Sequence, residues 1–224
     1  MRTEVHTSSE AKVLIAGHGG QGIVLMGTLL AHAAMLEGKE VTFFPSYGAE
    51  MQGGSANASV ILAPRRIASP IVDEPDILIV LNEPSLLEFE GRVRPYGQLF
   101  LNSSLIAAQP SRDDLTVIPV AATELAQQLG NTKTANVVML GALARITGLV
   151  SLSALSESLE AVLPAHRHDL LEQNRQALQI AASATENTER QKSRKPQSRK
   201  PKSPFGILSF KALSFKLSAL SFQL

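Results

Sequence analysis

The sequence predicts an α/β fold of the Rossmann-like type, built on a mainly parallel sheet. A short apolar run at residues 13–16 is followed by four glycines within six residues and then by an amphipathic stretch from Ile23 to Leu36. A strand, a tight turn and a helix in this order form the first unit of such a fold. A second continuous apolar run, residues 77–81, is typical of strands that are buried on both faces of a parallel sheet.

The other elements follow from hydrophobic periodicity and from glycine and proline breaks. Gly38 is predicted to end the first helix, and Ser85 is predicted to cap a short helix that ends at Phe89. Gly141 and Ala142 would let a neighbouring element approach their helix closely. Further strands are predicted from residue 40 to 44 and at 55–62, 99–102 and 117–120, and the helical C-terminal part at 121–129, 135–147, 152–163 and 167–182.

Composition divides the chain of 224 residues into one folded domain and two ends. Residues 1–10 are expected to be a flexible N-terminus, and residues 11–184 to form the α/β domain. Residues 185–224 are expected to be a disordered, low-complexity basic tail with a Leu-Ser-Phe repeat. Residues 1–184 carry 12 basic and 18 acidic side chains, a net charge of −6, whereas residues 185–224 carry 9 and 2, a net charge of +7.

The same composition argues against several classes of function. The acidic body has no electrostatic footprint for nucleic acid, so nucleic-acid binding would have to come from the tail. The chain has no cysteine, which excludes thiolate nucleophiles and cysteine-ligated metal or iron–sulfur centres within it. No apolar run is long enough to span a membrane and no secretory signal is present, so a cytoplasmic location is expected.

The glycine turn is the first candidate site. Gly17, Gly19 and Gly22 satisfy the pattern G-x-G-x-x-G, whose exposed amides at a helix start can hold a phosphate. The candidate phosphate contacts are Gly17, Gly19, Gly20, Gln21 and Gly22. A nicotinamide site would want an acidic residue after the second strand, and a P-loop would want lysine followed by serine or threonine; the sequence has neither. Glycines that serve only close packing of helix on strand remain an equal alternative.

A second special segment, residues 45–54, is expected to be a loop at the carboxyl edge of the sheet, where open α/β folds bind ligands. Glu50 could orient a substrate or a neighbouring subunit there, or it could be a solvated loop carboxylate. His18 could donate to a phosphate, although many residues are tolerated between such glycines. No serine has the elbow or the histidine partner of a hydrolase, and no catalytic residue is assigned within the chain.

Together these segments resemble a known family. The glycine turn at 17–22, the run Pro-Ser-Tyr-Gly-Ala-Glu-Met-Gln-Gly-Gly at 45–54, Ala-Asn-Ala at 56–58 and Asn-Glu-Pro-Ser at 82–85 occur in the order seen in γ subunits of 2-oxoacid:ferredoxin oxidoreductases. The resemblance spans roughly residues 11–182. The Ser-Tyr-Gly-Ala-Glu-Met version of the loop looks most like the 2-oxoglutarate (KorC-type) branch, whereas Gln52 stands where the family often has arginine, and the tail has no counterpart.

The resemblance implies one subunit of an enzyme that converts a 2-oxoacid, here 2-oxoglutarate, to an acyl-CoA and CO2 and passes electrons to ferredoxin. Thiamine diphosphate, iron–sulfur clusters and CoA would be bound mainly by other subunits: α, β and, as a further candidate, a ferredoxin-like δ. Pyruvate, branched-chain 2-oxoacids and indolepyruvate are alternative substrates, and a stand-alone dinucleotide-binding protein is the rival class. The expected interface or substrate-proximal residues are Ser46, Tyr47, Gly48, Glu50, Gly53, Gly54 and Asn57.

Overall fold

The computed structural model describes residues 10–47 and 55–181. They form a single six-stranded sheet with helices on both faces, and the strand order is β2-β3-β1-β4-β5-β6. The strands are β1 Ala11–His18, β2 Glu40–Tyr47, β3 Ser55–Ala63, β4 Ile77–Val80, β5 Gln98–Asn102 and β6 Thr116–Val120. The helices are α1 Ile23–Leu36, α2 Glu83–Phe89, α3 Ala122–Gln128, α4 Ala135–Thr147, α5 Leu152–Val162 and α6, residues 171–181.

Five of the six strands point in the same direction. β1 pairs in parallel with β4, β4 with β5, and β5 with β6. β3 runs antiparallel both to β1 and to β2, so β2 points the same way as β1. The predicted mainly parallel sheet is confirmed, and the carboxyl ends of β1, β2, β4 and β5 lie at one edge.

Strand β1 is buried on both faces because side chains alternate across the sheet. Val13 and Ile15 belong to the larger core, which the sheet forms with α1, α4, α5 and α6. Leu14 and Ala16 belong to a smaller core on the opposite face, where α2 packs on β1 and β4. This burial explains why the strand reads as a continuous apolar run.

Two glycines determine how α1 packs and ends. A Cβ at Gly27 would collide with the ring of Phe43 on β2, so the glycine allows close packing of the helix on the sheet. Gly38 has φ +74, the left-handed conformation that follows many helices, in agreement with its predicted role at the helix end.

Three boundaries differ from the sequence prediction. β2 continues through Pro45, Ser46 and Tyr47, since all three residues pair with β3 where a loop was expected. The short helix α2 begins at Glu83 and its cap is Asn82, whose side chain accepts from the Ser85 amide at 2.9 Å; Ser85 was the wrong cap. The last helix is preceded by a 3-10 turn at Ala165–Leu170 and begins at residue 171, not 167. The expected flexible N-terminus (residues 1–9 of it) and the tail lie outside the described residues.

The close approach predicted at Gly141 is present. A Cβ at this position of α4 would collide with the carbonyl oxygen of Leu178 and lie 3.0 Å from its Cα. α6 therefore packs backbone to backbone on α4, and its buried residues Ala177 and Ala181 complete the larger core. Small side chains on both helices are what permits this contact.

A carboxylate joins the end of α1 to the start of α5. Glu37 Oε1 accepts from the Ser151 amide at 2.7 Å, and its Oε2 pairs with Lys39 Nζ at 2.8 Å. Lys39 also donates to the Leu149 carbonyl. Burial by itself would raise the pKa of Glu37, but the hydrogen bonds from Lys39 and Ser151 outweigh it, so the pKa lies below its ordinary value of 4.5.

Because the pKa of Glu37 is lower in the folded state, this link stabilises the fold fully above pH 4.5 and loses its effect as the pH falls through the lowered value. We expect Glu37→Gln to reduce the free energy of unfolding at pH 7 by about 1 kcal/mol, because the charge is partly exposed. Urea unfolding measures the difference in unfolding free energy between the variant and the wild type, and this difference should be smaller at pH 3 than at pH 7. Exposed Glu157→Gln is the control; an equal loss in both variants at pH 7 would contradict the prediction.

Candidate functional site

At the carboxyl edge of the sheet the glycine turn opens onto a cavity of about 240 Å³. Its walls come from the end of β1, the turn itself, the ends of β4 and β5, and the starts of α3 and α4. Open α/β sheets bind ligands at this edge. The lining residues are His18, Gly20, Gln21, Leu81, Asn102, Leu105, Thr123, Thr132, Lys133, Ala135 and Asn136.

The side chain of Gln21 holds the turn in place. Its Oε1 accepts from the His18 amide at 2.9 Å, and its Nε2 donates to the Leu81 carbonyl at 3.1 Å. The Leu81 amide in turn donates to Ala16 O at 3.0 Å. Gln21 therefore continues the pairing of β1 and β4 beyond the ends of the strands. The sequence predicted Gln21 as a phosphate contact. In the structure its side chain holds the turn, and its Oε1 already accepts a hydrogen bond from the His18 amide.

The glycines of the turn divide between the two alternatives that the sequence left open. Gly20 and Gly22 have φ +91 and +75, where only glycine is unstrained. A Cβ at Gly17 would lie 2.6 Å from Gln21 Oε1, and one at Gly22 would collide with the Asn136 amide, so these two glycines serve close packing. A Cβ at Gly20 would meet nothing within 4 Å. Gly20 therefore leaves the turn open towards the cavity.

Two helix N-termini meet at this cavity. α1 has 14 residues and begins after Gly22, and α4 has 13 residues and begins after Thr134. Neither start has a side-chain cap. The first amides of a helix have no partner within the helix, and the helix dipole adds positive potential there. At α4 the Ala135 amide already donates to the Thr132 carbonyl and the Val137 amide to Asn136 Oδ1, so the start of α1 is the part of this backbone better suited to an anion.

Asn136 is a buried polar side chain that packs against the turn. It is 4% exposed, and its Oδ1 accepts from the Val137 amide at 2.8 Å. This hydrogen bond turns Nδ2 towards Gly22, against which it packs. Within residues 10–47 and 55–181, no group accepts a hydrogen bond from Nδ2. Nδ2 is therefore an unpaired donor on a side chain that lines the cavity.

Three further polar side chains complete the wall. Lys133 lies in the turn before α4, is exposed, and its Nζ forms no ion pair with any described residue. Asn102, fully buried at the end of β5, donates from Nδ2 to Thr123 Oγ1 at 2.9 Å. This pair ties the end of β5 to the start of α3. The cavity thus has one cation, and no acidic side chain is among its described lining residues.

His18 ends β1 and is exposed at the mouth of the cavity. Its Nδ1 lies 2.8 Å from the Gly19 carbonyl. Because a carbonyl can only accept, Nδ1 carries the hydrogen and Nε2 is the free ring nitrogen. The role of phosphate donor considered for His18 would require Nε2 to be protonated.

The predicted interface residues lie on the other side of β1 from the cavity. Ser46 pairs with Asn57 across β2 and β3, and Asn57 pairs with Ala16 of β1. Tyr47, at the end of β2, is 68% exposed. These residues share the carboxyl edge with the turn without lining the cavity. Gly48, Glu50, Gly53 and Gly54 lie outside the described residues.

Five polar lining residues were missed by sequence analysis: Asn102, Thr123, Thr132, Lys133 and Asn136. They follow β5 and β6 in a part of the chain that reads as ordinary strands and helices. One signal was available for Asn102, a polar residue at the carboxyl end of an apolar strand. Nothing local distinguishes Lys133 or Asn136, because only tertiary packing brings the start of α4 against the glycine turn.

Two kinds of feature are absent from residues 10–47 and 55–181. These residues contain no group of three or more side chains placed to hold a metal ion. They also contain no helix with the length and hydropathy needed to cross a membrane.

The chain is similar to subunits of 2-oxoacid oxidoreductases. It is 42% identical over 142 residues to the ketoisovalerate oxidoreductase subunit VorA of Methanothermobacter marburgensis, a match that covers 62% of this chain and 30% of VorA. It is 33% identical over 160 residues to the 2-oxoglutarate synthase subunit KorC of the same organism, covering 68% of this chain and 86% of KorC. This chain therefore spans about a third of the VorA sequences that it matches.

A solved structure and a family profile agree with these relatives. The γ subunit of a keto/oxoacid ferredoxin oxidoreductase from Geobacter sulfurreducens is 26% identical and superimposes with a TM-score of 0.69, covering 79% of this chain and 99% of that one. The profile of the pyruvate ferredoxin/flavodoxin oxidoreductase family matches residues 12–184, which is nearly all of the α/β domain. The chain thus belongs to the pyruvate ferredoxin/flavodoxin oxidoreductase family.

Proposed function

We propose that this chain is the γ subunit of a 2-oxoacid:ferredoxin oxidoreductase, with 2-oxoglutarate as substrate and succinyl-CoA and CO2 as products. The supporting observation is the similarity to KorC, which this chain matches over 86% of the KorC length. The VorA similarity, at 42% identity, makes a branched-chain 2-oxoacid the second candidate substrate. α and β subunits, with a ferredoxin-like δ as a further candidate, would be the partners, in the cytoplasm.

Within that enzyme the chain would position a cofactor and not carry out the redox step. It has no cysteine to hold an iron–sulfur cluster. The cavity beside the glycine turn suits a phosphate group of CoA or thiamine diphosphate, since Lys133 lines it and the uncapped start of α1 adjoins it. When bound, these cofactors would supply the acyl acceptor and the carbanion chemistry, respectively. The residues of this chain would hold and orient the phosphate end.

The neighbouring part of the sheet suits a protein contact. β2 is an edge strand, and its residues Phe44 and Tyr47 are 63% and 68% exposed. Phe44, Ser46, Asn57 and Ser59 lie on the sheet face that carries α2, but α2 packs on β1 and β4. Exposed aromatic residues beside an uncovered polar face are typical of an interface with a partner subunit.

The class of function is tested by isolating the partners. We expect the purified chain to have no oxidoreductase activity, and a pull-down with mass spectrometry to recover thiamine-diphosphate-binding subunits. Micromolar binding of NAD or NADP, or turnover by the chain alone, would instead support a stand-alone dinucleotide protein. With the assembled enzyme, comparing turnover of 2-oxoglutarate and of ketoisovalerate decides between the two candidate substrates.

The positioning role is tested at the glycines. Gly20→Val places a side chain in the open space of the turn, and we expect it to impair assembly or to raise the KM for CoA. Gly53→Val, in the neighbouring loop, is expected to do the same, and Glu50→Gln to be milder. Reconstitution with each variant, followed by subunit retention and steady-state rates, measures this. Assembly and turnover like wild type for both glycine variants would place the site elsewhere.

A further inference from the structure

We propose that the cavity selects a phosphate group through side chains whose acceptor atoms are already occupied, and that Asn136 determines this selectivity. The inference rests on the proposed function, which it deepens by naming the groups that recognise the ligand. Neither Asn136 nor Lys133 belongs to the glycine turn. They come from the start of α4, which packing brings against the turn.

Several oxygens of the cavity wall already accept internal hydrogen bonds, whereas Lys133 Nζ and Asn136 Nδ2 have no acceptor among the described residues. Asn136 Oδ1 is occupied by the Val137 amide, and Gln21 Oε1 by the His18 amide. Thr123 Oγ1 accepts from Asn102, so its hydroxyl hydrogen is the part left to donate. The Leu81 carbonyl, which also borders the cavity, accepts from Gln21 Nε2. A ligand that donates hydrogen bonds would have to share each of these oxygens with an internal hydrogen bond, using its second lone pair.

The charge of the lining residues also favours an anionic ligand. Of the described lining residues, Lys133 is positively charged and none is acidic. Lys133 can only donate, as can Asn136 Nδ2 in its fixed orientation. The Thr132 hydroxyl can still accept, as can any His18 ring nitrogen that carries no hydrogen, but both residues are exposed. In the buried part of the wall Asn136 Nδ2 is thus unpaired, whereas Asn136 Oδ1 and the Leu81 carbonyl already hold internal hydrogen bonds.

A phosphate group fits this set better than a carboxylate does. A phosphate monoester carries three strong acceptor oxygens and nearly two negative charges at neutral pH, whereas a carboxylate has two oxygens and one charge. Lys133, Asn136, Thr123 and the amides of the glycine turn offer more donors than two oxygens need. The phosphate could come from CoA or from thiamine diphosphate, and the chemistry of recognition is shared by both.

The test uses the assembled oxidoreductase with Asn136→Leu and, separately, Lys133→Met. Loss of one hydrogen bond to a charged oxygen should raise the KM for CoA about ten- to hundredfold while kcat changes little. The KM for pantetheine, which carries the same thiol without the nucleotide phosphates, should change less than about twofold. Asn136→Asp, which replaces the donor by a negative charge, should be more severe than Asn136→Leu.

Controls separate recognition from folding. Asn174 is 8% exposed and donates to the Leu170 carbonyl at 2.9 Å, away from the cavity. Asn174→Leu therefore removes a similarly buried amide, and we expect the KM for CoA to stay at the wild-type value. Lys133→Met changes an exposed side chain, so it tests the proposal even if Asn136→Leu does not fold.

The outcomes identify the cofactor that supplies the phosphate, and they separate a failure of this inference from a failure of the proposed function. A raised KM for CoA but not for pantetheine supports the phosphate of CoA. An unchanged KM for CoA with weaker binding of thiamine diphosphate supports the same recognition with the other cofactor as its source. If both variants keep wild-type values for both cofactors, or affect CoA and pantetheine equally, the inference is overturned. The proposed function would survive that result if Gly20→Val still raised the KM for CoA.

Discussion

Replacing Gly22 by valine is expected to reduce the free energy of unfolding by about 2–5 kcal/mol. The left-handed conformation at φ +75 costs a residue with a Cβ about 1–2 kcal/mol. The Cβ would also collide with the buried amide of Asn136, and such overpacking adds about 1–3 kcal/mol. Urea denaturation followed by circular dichroism measures the loss.

Gly20→Val is the matched control for Gly22→Val. Gly20 has φ +91 but no atom within 4 Å of an added Cβ, so we expect only the conformational cost of about 1–2 kcal/mol. Adding Asn136→Ala to Gly22→Ala should recover part of the unfolding free energy that Gly22→Ala alone loses, because Asn136→Ala removes the atoms that collide with the Cβ. If Gly20→Val and Gly22→Val were equally unstable, packing of Asn136 on the turn would contribute nothing.

Gly141→Val is expected to cost about 3 kcal/mol by displacing α6 from α4. The added side chain would meet the backbone of Leu178, which cannot rotate away as a side chain can, so the whole of α6 must shift. Hydrogen exchange should accordingly increase for residues 171–181 more than for the sheet. Urea denaturation supplies the change in free energy.

Gly91→Val is the corresponding control for Gly141→Val. Gly91 lies in the short 3-10 turn after α2, and an added Cβ there would meet nothing within 4 Å. We expect a small loss of stability and normal protection of residues 171–181. A Gly141→Val protein with wild-type exchange in α6 would show that α6 does not depend on close approach to α4.

Much of the fold follows from local pattern. Residues 13–16 and 77–81 are continuous apolar runs because their strands are buried on both faces, and the prediction of a mainly parallel sheet rests on them. The ends of α1 and α4 agree with the glycines that stop them, Gly38 and Gly148, which both have positive φ. Such features are encoded within a few residues and need no tertiary contact to be recognised.

Other boundaries depended on partners distant in the chain. Pro45, Ser46 and Tyr47 look like a loop, but pairing with β3 keeps them in β2. The cap of α2 is Asn82 because its side chain accepts from the Ser85 amide, which places Ser85 inside the first turn of the helix.

The candidate site also combines features that local sequence predicts with features that depend on residues distant in the chain. From the glycines of residues 17–22 one can predict a turn with exposed amides at a sheet edge, since φ above zero and a following helix are local properties. The separate roles of the glycines could not be predicted. At Gly22 a side chain would collide with Asn136, which is more than 100 residues away in sequence, whereas at Gly20 an added Cβ would contact no described atom within 4 Å. Lys133 and Asn136 reach the cavity only because the sheet places the start of α4 beside the end of β1. Local sequence therefore specifies the glycine turn with its exposed amides, whereas the side chains that complete the cavity are brought there by packing between distant elements.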